Sequence, residues 1–190
     1  VTGPIALSYL LATLTAALAR SARERRTDPE EDRPMWPTDW PTPARAIATT
    51  IEAAVAAARA ADAPVFDETV AELAQLPADQ VDTVLAAVVR ELLETAHPDG
   101  LTGDDVRDVL NAVVRGAAAW QPRLDATAVV GALTGALGID ESDPHNPPTG
   151  LQGAAILLID HLATRTRVPV TDTIGRAVAE IARAETVEMP

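Results

Sequence analysis

Neither cysteine nor lysine occurs among the 190 residues, and aromatic side chains make up only 3% of them. Without cysteine there is no thiol nucleophile, structural disulfide, thiolate metal site or iron–sulfur cluster. Without lysine there is no Schiff base to a carbonyl or pyridoxal phosphate, and no Walker-type lysine for nucleotide phosphates. Serine is confined to Ser8, Ser21 and Ser142, none in the Gly-x-Ser-x-Gly setting of a nucleophile elbow. Any catalysis would rest on Asp, Glu, Arg, Thr and three histidines. Few aromatics beside 47% hydrophobic residues rich in Ala, Val and Leu favour close-packed helices over a sandwich or barrel.

Positive charge is also scarce, with 15 basic residues against 28 acidic ones and a formal net charge of −13. Such a field repels phosphate backbones and anionic lipid, so no nucleic-acid partner is expected. The basic cluster Arg20, Arg23, Arg25 and Arg26 is followed at once by Asp28, Glu30, Glu31 and Asp32, as at a solvated helix end.

Long hydrophobic runs are missing as well. Residues 5–19 are apolar, but they fall short of the roughly 20 residues that span a bilayer, and no basic region precedes them. Leu7, Leu11, Leu14 and Leu18 step by four, three and four, which predicts an amphipathic helix over residues 1–26 with an apolar face for partner binding. Membrane association of residues 5–19 is the alternative, and a cytoplasmic location is expected.

What the chain does contain is helix punctuation. Residues 27–43 form a proline-rich linker in which Trp36 and Trp40 could dock onto the same chain or serve as a partner-binding strap. From residue 44 to 190 a single helical domain is expected. One helix follows Thr42-Pro43 and ends near Ala63-Pro64, a short one lies around Asp67 to Gln75, and further helices start at Pro77, Thr102, Leu124, after the loop Asp140 to Thr149, and at Pro169. Thr102 with Asp105 resembles a capping box. Gly131, Gly135 and Gly138 suggest a close helix crossing, and Leu151–Ile159, apolar on nearly all sides, suggests the most buried helix or one shared with a partner.

Two of these helices are near-copies. Residues 76–90 return as 101–115 with 9 of 15 positions identical, and Val81/Val106, Val84/Val109, Leu85/Leu110 and Val88/Val113 fall at i, i+3, i+4, i+7. One buried helix face therefore recurs. Only two copies match well, so a bundle is favoured over a solenoid.

The first copy ends in Glu91, Glu94 and His97, half of a carboxylate-bridged dimetal pattern; the ordinary alternative is a solvent-facing helix end stopped by Pro98. The second begins with Asp104, Asp105 and Asp108, an Asp-Asp-x-x-Asp spacing that holds Mg²⁺ against diphosphate in isoprenoid synthases. Here those acids sit in a first helical turn, where they complement the helix dipole. The loop around His145 reads as surface turns, and His161 beside Asp160 as a structural histidine bonded to a backbone carbonyl.

The resulting expectation is an all-α, single-domain bundle of seven to eight mostly antiparallel helices with a proline-rich N-terminal strap. The expected function is a non-enzymatic protein–protein interaction or scaffold module, a homo-oligomer or a binder of another protein, with no cofactor. The alternatives are a small metal-dependent helical enzyme and a binder of a small apolar ligand.

Overall fold

Proline and short polar residues start most of the helices, each for a local reason. The structure, a computed structural model, describes residues 36–139 and 149–187. Among them lie seven helices and no strand: α1 Thr42–Arg59, α2 Ala63–Leu73, α3 Ala78–Ala96, α4 Gly103–Ala117, α5 Ala126–Ala136, α6 Leu151–Thr166 and α7 Val170–Val187. The described residues from Asp39 onward form one compact unit. Leu7, Leu11, Leu14, Leu18 and His145 lie outside the described residues.

Pro43 opens α1, where its missing N–H leaves no orphaned bond. The helix stops at Arg59, earlier than the expected Ala63-Pro64, because Ala61 adopts a left-handed φ of 52°. Asp62 then caps α2 by accepting from the Val65 N–H at 3.2 Å, and Pro64 sits in the first turn of α2 instead of ending α1. Thr102 and Asp105 form the expected capping box of α4. Asp125 accepts from the Thr127 N–H at 2.8 Å to start α5.

α6 packs against each of the other six described helices. That explains its sequence: Ile156, Leu158, Ile159 and Leu162 are fully buried, and residues 153–159 are buried on every side. Each such side chain contributes roughly 1.5–3 kcal/mol through burial. A solenoid has no element that touches all others, so the bundle expectation holds. Around α6, α1 pairs with α2, α3 packs on α5 and α7, and α4 leans on α5.

The duplicated face is buried unequally. Val81, Val84, Leu85, Val88 and Val89 of α3 are all buried, whereas of the corresponding positions in α4 Val109 and Val113 are buried and Val106, Leu110 and Val114 are half-exposed. The same pattern serves a central helix once and a flanking one once. The glycine expectation fails at Gly135, which is exposed, and a Cβ built there meets nothing within 4 Å. Gly138 instead supports a positive φ of 72° where the chain leaves α5.

Candidate functional site

The acids and histidine at the end of α3 share a sequence motif but point to different neighbours. Glu91 accepts from Arg176 Nε of α7 at 2.6 Å, while Glu94, one turn on, is exposed. His97 is the C-cap residue of α3, and its backbone N–H donates to the Leu93 carbonyl at 3.0 Å. Its side chain is 6% exposed, with Nδ1 3.5 Å from Asp105 Oδ1 of α4. The helix end faces solvent at Glu94 and Thr95, as expected, but the His97 imidazole is covered.

Two residues singled out separately, His97 and Asp105, therefore meet across the short turn between the repeat copies. The other Asp105 oxygen, Oδ2, accepts from the Thr102 hydroxyl at 2.6 Å and the Thr102 backbone N–H at 2.9 Å. These two bonds hold the Asp105 carboxyl below the usual carboxylate range, with the nearby His97 and Arg165 acting in the same direction against partial desolvation. A His–Asp pair is the orienting half of a catalytic triad. Here His97 Nε2, the atom that would take a proton from a substrate, is buried without a hydrogen-bond partner. The pair joins two helix ends and presents no reactive nitrogen to solvent.

Asp104 bonds Arg107 at 2.6 Å on the surface, and Asp108 is exposed. Among the described residues no group of three or more His, Asp or Glu side chains comes together to hold a metal ion. His161 is half-buried and makes no hydrogen bond to a backbone carbonyl there. Burial lowers its basicity, Arg165 lowers it further and Asp160 partly opposes both. Asp160 itself accepts from Arg59 Nε at 2.8 Å, tying α6 to the end of α1. Of the two strap tryptophans, Trp36 is buried and Trp40 half-buried.

The surface that sequence reasoning missed is the seam between α3 and α7. At one end, a hollow of about 300 Å³ is lined by Pro41, Ala44 and Ile47 at the start of α1, Val84 of α3, and Val178 and Ile181 of α7. It shares Thr83 and Ile181 with a second, polar hollow of about 660 Å³, walled by Arg90, Glu91, Glu94, Arg176 and Glu180 over Ala86 and Ala87. In the polar half, Arg90 Nε is engaged with the Ala136 carbonyl at 2.8 Å and Arg183 Nε with the Ala179 carbonyl at 3.2 Å. The spacing of Asp79, Thr83, Ala86, Ala87, Arg90 and Glu94 was visible as one helix stripe, but its small and charged residues resemble any solvated face. Only the approach of α7 makes it a groove.

No described helix is long and apolar enough to cross a membrane. No protein-family model, curated protein or solved structure matches the chain.

Proposed function

We propose that this protein is a non-enzymatic interaction module that receives a segment of another protein chain in the seam between α3 and α7. The observation that carries this reading is the apolar hollow at Pro41, Ile47, Val84 and Ile181, which continues into a polar trough along one helix stripe. Helix-in-groove recognition uses this combination, apolar pockets for anchoring side chains and flanking charges for register. The proposal extends the sequence expectation of a partner-binding, homo-associating protein by giving it a receiving surface.

Thr83 is exposed and belongs to both hollows, so Thr83→Arg blocks the seam without touching the core. Sedimentation of the full chain is expected to show association that Thr83→Arg removes; association of equal strength in both puts the contact elsewhere. Metal analysis of protein purified without chelator tests the non-enzymatic half of the proposal. A stoichiometric ion that is lost on Glu94→Ala overturns it.

A further inference from the structure

A hollow of about 220 Å³ lies between α2, the turn from α4 to α5, and the start of α6. Phe66, Val70, Leu124 and Leu157 give it an apolar lining, and it shares no lining residue with the α3–α7 seam. A dry cavity of about 150 Å³ already admits benzene, so this space suits a molecule of one ring and a short head group. Two polar groups of opposite kind decide what that head group is.

The first is an acceptor. Gln121 borders the hollow and is only 6% exposed. Thr69 and Thr173, the other buried polar residues among those described, return their hydroxyls to carbonyls four residues back. Gln121 has no such local outlet. Its Nε2 donates to Asp67 Oδ1 at 2.7 Å, which fixes the orientation of the amide, and its Oε1 is buried without a hydrogen-bond partner. An acceptor removed from water and left unpaired is costly, and a guest in the hollow can supply the missing donor.

The second is a donor. α6 begins behind Gly150, which has no side chain to cap it, and the Ala154 N–H bonds the Gly150 carbonyl at 3.0 Å. Gly153, one position earlier, borders the hollow and is buried, yet its N–H has no partner among the described residues. Orphaned N–H groups on buried residues are rare. With no side chain, Gly153 also lets a guest approach its backbone.

We propose that this hollow binds a small neutral molecule with an apolar body and an amide head, whose N–H donates to Gln121 Oε1 and whose carbonyl accepts from the Gly153 N–H. An unpaired acceptor and an unpaired donor at one site select a head group that offers both. A carboxylate brings no donor for Gln121, and the lining charges of Asp67 and Asp125 outnumber that of Arg123. An ammonium brings no acceptor for Gly153 and lies at the positive end of the α6 dipole. A hydrocarbon satisfies neither group. The site is additional to the seam and does not depend on it.

Benzamide is the probe, titrated into the full chain and followed by ¹⁵N–¹H NMR beside benzoate, benzylamine and toluene, which share its ring. Benzamide is expected to shift the Gly153 N–H and the Gln121 side-chain amide with a dissociation constant of about 1 mM, and the other three to bind roughly tenfold more weakly or not at all. Gln121→Leu removes the acceptor and should weaken benzamide roughly tenfold. Should that variant fail to fold, the map of shifted resonances in wild type decides. Benzamide that leaves both resonances unmoved at about 10 mM, or shifts only residues elsewhere, overturns the site. Benzoate, benzylamine or toluene binding there as tightly as benzamide overturns the amide assignment.

Discussion

His161 shows how one side chain's surroundings set a measurable property of the molecule. Burial, and after it Arg165, hold its pKa below the ordinary 6.5, with Asp160 opposing. The unfolded chain therefore takes up the proton first as pH falls, so protons bind more to the unfolded state and stability drops. The loss opens near pH 6.5 and ends at the lower folded value. Thermal unfolding between pH 8 and pH 5 should show a falling midpoint, and His161→Gln should flatten that fall; an unchanged slope in the variant rejects the assignment. None of this was legible in the sequence, since Asp160 and His161 are adjacent on a helix and face about 100° apart. Arg165, one turn on, and the packing around α6 decide the environment. His97 was likewise legible as an unusual residue, but not as a buried one paired with Asp105.

At the scale of the helix, most of what the sequence predicted is present, because capping and helix starts depend on neighbouring residues alone. Thr102 with Asp105, and Pro43, act where their types lead one to expect, whereas the second helix begins at Ala63 behind an Asp62 cap and not near the expected Asp67. The glycines of α5 are a further exception. A glycine placed for close helix approach and one tolerated on an open face are the same letter, and the difference lies in the neighbour. Gly135 has open space where its Cβ would be, with no positive φ requiring glycine. Gly135→Ala should therefore stabilise the protein by about 0.4–1 kcal/mol through a less flexible unfolded chain. A urea midpoint that moves down instead would show that the site is crowded after all.

The whole molecule turns a repeated pattern into two different energetic roles. Val81 and Val106 occupy the same place in the two copies, yet the first is fully buried and the second half-exposed. Truncating Val81 to Ala should cost clearly more stability than truncating Val106, since only the former leaves a cavity. Ile156→Ala in the central helix should cost about 2–5 kcal/mol, with urea denaturation as the measure for all three. Equal losses at Val81 and Val106 would mean that α4 is as central as α3.

The sequence by itself determined the helical class, most of the helix starts, the inward face of α3, the burial of α6, and the exclusion of thiol and lysine chemistry. Each of these follows from residue type and spacing within a few turns of chain. The tertiary structure alone decided that α6 touches every other described helix, that His97 meets Asp105, that Glu91 is spent on Arg176 and not on a metal cluster, and that an ordinary polar stripe of α3 becomes one wall of a groove. Those are relations between faces of different helices, and faces meet only through the packing of side chains distant in sequence.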